Sequence, residues 1–380
     1  MEEKLKIYLK TLVANSGSDL HLKSGSHVRV RVHGLLKKMG DEQLSAAQID
    51  QIARDITTDV QYAKLKNDLS LDFTYVLDAQ SRFRVNFFHQ MDGLSAVFRV
   101  IPVKIPTLEE MKLPEVIGSF ADIPRGLVLV TGVTGSGKST TLAAVINKIN
   151  ENQPKHIITL EDPIEFVHQD KKALINQRAV GEDTKNFSDA LRAALREDPD
   201  IILVGEIRDL ETIDLALHAA NTGHLVFSTL HTLDAKETIG RIIGMFPGDE
   251  QNRVRAALAS VLAGVVSQRL APTVAGGRTA VAEVLVSTSR VGEMISEGRD
   301  SEIPDAIAEG KEIYGSQTFD QHLLDLIDDG IITEDTALEY ATSPSDLKLK
   351  LQGIGRGDKS NSKLDDAVQL DAFDLMDDEG

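Results

Sequence analysis

The segment Gly132-Val-Thr-Gly-Ser-Gly-Lys-Ser139 follows an apolar run ending at Val130 and precedes a helical stretch, Thr140 to Ile149. A strand, a glycine-rich loop and a helix in that order form a cradle for phosphate. Glycines at 132, 135 and 137 let the backbone turn tightly, so that the amides from Gly132 through Thr134, Ser136 and Thr140 face an anion. The helix N-terminus adds its partial positive charge. Lys138 is then placed to reach the β- and γ-phosphates, and the Ser139 hydroxyl to ligate magnesium. By average residue usage, about one chain of this length in a hundred carries the pattern by accident, and the flanking strand and helix lower that figure. ATP and Mg2+ are the implied ligands, but the motif does not say what hydrolysis accomplishes.

The chain has 380 residues, enough for two domains that each bury a core. The 42% apolar and 26% charged fractions suit a globular protein, and no apolar run approaches bilayer length. The start, MEEKLKIYLK, lacks the apolar stretch of a signal peptide, so a cytoplasmic location is expected. With no cysteine, disulfides and thiolate zinc sites are excluded. A formal charge of -18 disfavours a nucleic-acid partner, because Lys and Arg supply most of the affinity for phosphate backbones.

Leu5, Leu9, Leu12 and Val13 share a helical face, and Ser18 to Leu22 alternates as a strand does. Further alternating segments at 27–32, 71–77, 82–88 and 96–101, with a helical stretch near 46–66, predict a small α+β domain over 1–103. Pro102, Pro106 and Pro114 mark a linker and hinge over 104–122. Apolar runs at 127–130, 157–160, 201–204 and 225–227 then alternate with helical stretches at 187–196 and 210–220. This predicts a mostly parallel α/β sheet covered on both faces over 123–352. A helix is expected from Glu250 to Arg269 and more helices over 289–351, followed by an acidic, disordered tail over 353–380.

Three clusters complete a candidate site. Asp200-Ile-Ile-Leu-Val-Gly-Glu206 is an apolar strand that delivers Glu206 beside the metal. Glu161-Asp-Pro-Ile-Glu165 directly follows the strand at 157–160, where either Glu161 or Glu165 can orient water. His231 follows the strand at 225–229 as a γ-phosphate sensor, with His224 at the strand's other end a weaker candidate. Each also has a plain structural reading, as an acidic turn, a helix cap or a loop histidine.

In their order and spacing, GVTGSGKST, TLEDPIEFVH, VGEIRDLETI and STLHTLDAKETIGRII resemble the Walker A, Asp box, Walker B and His box of secretion-superfamily ATPases. With SDLHL, LDFTY and FRVNFF upstream and TFDQHLLDLIDDGIITEDTALEYA downstream, the resemblance covers residues 1–351 and is to the PilT family of type IV pilus retraction ATPases and its relative PilU. It implies a hexamer of two-domain subunits, a PAS-like domain before a RecA-like ATPase domain, with ATP between them. It makes Glu165 the residue acting on water, Glu206 the Walker B acid and a magnesium ligand, and Arg84 and Arg99 the γ-phosphate cations. It further implies a position at the inner face of the inner membrane, with a platform protein as partner and pilin moved indirectly.

Two departures stand out. The family's AIRNLIRE segment is replaced by Ser289-Arg-Val-Gly-Glu-Met-Ile-Ser-Glu297, and the TFDQ near Phe319 and the acidic tail resemble PilU. An accessory subunit that joins a second retraction ATPase is therefore a competing expectation, and a RecA-like nucleic-acid motor a weaker one.

Overall fold

The computed structural model describes residues 1–353 except His33, Ala79, Gln80 and Val103, so nearly all of the expected acidic tail lies outside the described residues. An antiparallel sheet comes first. Its strands are β1 Gly17–Lys23, β2 Ser26–Val32, β3 Leu35–Leu44, β4 Ser70–Asp78, β5 Ser81–Gln90 and β6 Gly93–Ile101, in the order β3-β2-β1-β6-β5-β4. Helices α1 Glu2–Ala14, α2 Ala46–Ile56 and α3 Asp59–Asp68 pack with it around Leu5, Leu20, Ile49, Phe83, Phe87 and Phe98. The buried face of α1 is Leu5, Tyr8, Leu9 and Leu12, while Val13, expected on that face, is 41% exposed because it lies well round the helix from Leu5. The helix expected at 46–66 is two helices, because Thr57 and Thr58 break it and Thr58 forms a capping box with Gln61. Strand β3 escapes sequence reading because it is an exposed edge strand rich in Lys, Asp and Glu, the composition that keeps an edge from pairing with another chain.

The second sheet holds β7 Gly126–Thr131, β8 His156–Glu161, β9 Leu174–Ala179, β10 Ile201–Val204, β11 Leu225–Leu230, β12 Leu262–Pro272 and β13 Arg278–Val286. Its order is β13-β12-β7-β11-β10-β8-β9, with every pairing parallel except β12 with β13. Every residue of β7, β10 and β11 is buried, as strands covered on both faces require. One face carries α4 Glu115–Ser119 and α5 Lys138–Asn152. The other carries α6 Phe187–Ala194, α7 Leu210–Asn221, α8 Ala235–Gly244, α9 Gln251–Val261, α10 Ser289–Glu297 and α11 Ile303–Glu309. The short α12 Lys311–Tyr314 leads to α13 Phe319–Asp328, α14 Glu334–Tyr340 and α15 Pro344–Leu351, which close a smaller core over β12 and β13.

The helix expected over 250–269 ends at Val261, and the chain continues as β12. Val254, Leu258 and Val261 do follow helical spacing, but Val265 and Val266 are β-branched and both buried, which suits a strand between two neighbours. Gly264 reinforces the change, because a Cβ there would lie 2.3 Å from the Phe120 ring. That ring comes from the segment read as a linker, where Leu108, Leu113, Ile117, Phe120 and Ala121 are all buried against the larger sheet. The connection is therefore packed on the larger sheet from Ile105 onward, and fully buried at several positions from Leu108. Between the two sheets, the Thr74 amide donates to Glu182 Oε1 at 3.0 Å.

Candidate nucleotide-binding site

Because six of its seven strands run parallel, the larger sheet places the loops after β7, β8, β10 and β11 along one carboxyl edge. The loop after β7 turns at Gly132, whose φ is +138°. A Cβ at that position would stand 2.4 Å from Gln268 O and 2.6 Å from Ser136 Oγ, so glycine alone fits. Lys138 opens α5 almost wholly buried, with Nζ donating to Gly132 O at 2.7 Å and Val133 O at 3.1 Å. Burial pulls its pKa below the usual lysine value, against the opposing pull of the Glu206 and Glu165 carboxylates.

Above this loop lies a cavity of about 540 Å³ lined by Thr134, Gly135, Gly137, Lys138, Ser139 and Thr140. A second hollow of about 620 Å³ continues past Gly137 and Thr140 toward Met111, Leu270, Val274 and Ala280. Polar at one end and more apolar at the other, the pair suits a polyphosphate joined to a base. Ser136, expected at the phosphate, is 2% exposed and does not line the cavity, and its hydroxyl has no hydrogen-bond partner among the described residues. Ser139 and Glu206 bring oxygen donors to the same cavity. That donor set fits Mg2+, which takes one or two protein oxygens and fills its octahedron with phosphate and water.

Glu161, Glu165, Glu206 and His231 reach this cavity from the other three loops. Glu206 is held from two sides, with Oε2 accepting from Arg208 Nε at 2.8 Å and Oε1 lying 3.2 Å from His231 Nε2. Glu161 is folded inward: its carboxylate accepts from the Thr159 hydroxyl at 2.7 Å, Gln177 Nε2 at 3.1 Å and the Glu165 amide at 3.4 Å. Burial raises its pKa although these bonds oppose the shift. Glu165 is exposed, and its carboxylate accepts no hydrogen bond among the described residues.

Asp200 and His224 lie at the opposite, amino edge, where Asp200 accepts from Lys155 at 2.9 Å and His224 Nδ1 lies 3.0 Å from Ala219 O. Arg84 and Arg99 are also kept away from the cavity. They face each other across β5 and β6, so the register of the antiparallel sheet fixes them together. Arg99 Nε donates to Asp19 Oδ1 at 2.8 Å, and Arg84 borders a separate hollow with Asp162 and Glu182. The arginines that do line the cavity are Arg208 and Arg278, which the sequence reading did not single out. Arg208 sits two residues beyond Glu206 and was open to notice, whereas Arg278 opens β13, a strand with no motif to announce it.

A model of the type II/IV secretion system protein family matches residues 1–333. The chain is 48% identical over 330 residues to the type IV pilus retraction ATPase PilT of Pseudomonas aeruginosa, covering 87% of this chain and 96% of that protein. It is 38% identical over 368 residues to the type IV pilus ATPase PilU of the same organism, covering 96% of each. Among solved structures, that of the pilus retraction motor PilT with bound ADP matches with a TM-score of 0.84 at 41% identity, over 90% of this chain and 98% of that one.

Proposed function

Since this chain belongs to the type II/IV secretion system protein family, and within it to the PilT group of ATPases, we propose that it is an ATP-hydrolysing motor that drives type IV pilus retraction. The observation that carries the reading is the convergence of Lys138, Ser139, Glu165, Glu206 and His231 on one cavity over the phosphate loop.

In this reading the amides of the loop and the Lys138 ammonium hold the polyphosphate. Ser139 and Glu206 would hold Mg2+, which when bound neutralises charge on the phosphates. Glu165, with an unengaged carboxylate, orients water and accepts its proton, while Glu161 shapes the loop that carries it. His231 and Arg208 fix the direction of Glu206. Arg84 and Arg99 contribute their charge only when the antiparallel sheet moves relative to the larger one, or when a neighbouring subunit presents them. Such a cation reaches the phosphates in one conformer alone and so couples turnover to motion.

The motor works as a homohexamer at the cytoplasmic face of the inner membrane, turning a platform protein so that pilin subunits are withdrawn. The attachment proposed there is peripheral, and no helix among the described residues is long and apolar enough to cross a membrane. Lys138→Ala should abolish nucleotide binding, and Glu206→Gln should keep binding but lower turnover by about a hundredfold or more. A strain carrying only Glu206→Gln should extend pili and fail to retract them; normal retraction would overturn the reading. The similarity to PilU, which covers 96% of this chain against 87% for PilT, favours one alternative, an accessory subunit of a second retraction ATPase. Negligible turnover by the isolated ring that appears only when a second motor is added would select it.

A further inference from the structure

Strand β9 is the edge of the larger sheet, and Gln177 lies on it opposite Thr159 of β8. Its side-chain amide makes three hydrogen bonds to the segment that leaves β8. Oε1 accepts from the His168 amide at 2.8 Å, and Nε2 donates to Phe166 O at 2.8 Å and to Glu161 Oε1 at 3.1 Å. Glu161 in turn accepts the Glu165 amide at 3.4 Å and the Thr159 hydroxyl at 2.7 Å. One side chain thus fastens both ends of the loop, at 161 and at 166–168, and Glu165 sits on the arch between them.

We propose that Gln177 is a positioning residue for hydrolysis, holding the 161–168 loop so that the Glu165 carboxylate faces the nucleotide cavity. This rests on the ATPase reading given above. The chemistry requires an amide. It offers an acceptor to His168 N–H and donors to Phe166 O and Glu161 at once, whereas an ionised carboxylate offers acceptors only and an aliphatic chain offers neither. Glutamine in a partly buried strand position usually has a plain structural role, but here every partner belongs to the segment that carries the water-orienting acid.

Gln177→Glu keeps shape and the acceptor but sets a second carboxylate against Glu161. Two carboxylates at that spacing share one proton, so acidification restores a donor between them. Of the neighbouring charges Glu165 acts directly on Glu161, while Asp162, His168, Lys138, Glu206 and Arg208 line the same cavity as Glu161, and all are retained in the variant. The pH profile of Gln177→Glu is therefore expected to rise toward acid relative to the wild type.

The test uses the full-length protein with Gln177→Leu and Gln177→Glu. Without nucleotide, amide hydrogen exchange at residues 161–168 should quicken in Gln177→Leu while the phosphate loop stays protected. Binding of a fluorescent ADP analogue should stay within about threefold, with kcat down about ten- to a hundredfold and KM nearly unchanged, the pattern of lost positioning rather than lost affinity. Gln177→Glu should recover turnover as the pH is lowered from 8 to 6. Wild-type exchange and turnover in Gln177→Leu, or a Gln177→Glu profile parallel to the wild type, overturns the proposal. So does a parallel fall of kcat, nucleotide binding and melting temperature, which marks a merely structural residue. Lys138→Ala run alongside separates the two levels: if it still binds nucleotide, the site reading itself fails, whatever Gln177 does.

Discussion

At the scale of single residues, Gly132 sets the tightest limit on the phosphate loop. Replacement by alanine keeps an unfavourable φ of +138° and drives a Cβ within 2.4 Å of the Gln268 carbonyl. The backbone must then shift, at a cost on the order of 1 to 3 kcal/mol. Gly132→Ala is therefore expected to melt several degrees lower and to lose nucleotide binding, both measurable by thermal unfolding with and without ADP. Stabilisation by ADP equal to the wild type's would contradict it. Arg208→Ala should behave differently: it removes one of two restraints on Glu206 while His231 remains, so turnover should fall with binding intact. Much of the candidate site was legible in the sequence because Lys138, Ser139, Glu206 and His231 sit just after apolar runs, and parallel strands deliver such positions to one edge. Arg278 and Gln177 were not, because they come from β13 and β9, whose segments carry no motif and little alternation. Placing Arg84 and Arg99 required knowing how one sheet sits on the other, which no local pattern encodes.

Among the elements, two buried titratable side chains, Glu283 on β13 and His322 on α13, dock helices onto that strand. Glu283 accepts the Ala235 amide at 2.9 Å at the start of α8, and His322 of α13 accepts the Ala282 amide through Nδ1 at 2.9 Å. Burial raises Glu283 to about 7, helped by Asp234 and Asp320 and opposed by the Ala235 amide and Arg269. Between about 4.5 and 7 the folded chain keeps this proton and the unfolded chain loses it, so the glutamate's contribution to stability declines as pH rises through that window. His322 and His168, pushed down to about 4 by burial, act in the opposite sense and lose stability as pH falls from about 6.5 to 4. Glu283→Gln keeps an acceptor for Ala235 and removes only the first effect. Relative to wild type it should gain on the order of 1 to 3 kcal/mol between pH 5 and pH 7.5. Denaturant unfolding at the two pH values checks this, and a constant difference would refute it. The same region shows where sequence reading of elements stops. A helical spacing through Val261 ran on into β12 because Val265 fits either period, and only the pairing with β7 and the Phe120 ring against Gly264 decide it.

For the whole molecule, the question is how firmly the two sheets hold one another. The larger sheet owns most of the connecting segment, since Leu108, Leu113, Ile117 and Phe120 are packed into its core and Ile105 packs against it. Against that short tether stands the bond from the Thr74 amide, on the edge strand β4, to Glu182 in the loop after β9. Partial desolvation raises the Glu182 pKa against the lowering effect of the Thr74 amide, although the residue as a whole stays exposed. A bond of this kind contributes about 1 kcal/mol, enough to change an open-to-closed ratio about fivefold. The absence of cysteine makes the consequence directly measurable. Val60, 80% exposed on α3, and Ile313, 76% exposed on α12, can each be replaced by cysteine and spin-labelled without touching the nucleotide cavity. In the nucleotide-free protein, Glu182→Ala should broaden the distance distribution between these labels and shift it toward longer separations. Thr74→Pro, which removes the donor instead of the acceptor, should do the same. Unchanged distributions in both variants would mean that the contact plays no part in closure, and that the orientation of the antiparallel sheet is set by the packed connection alone.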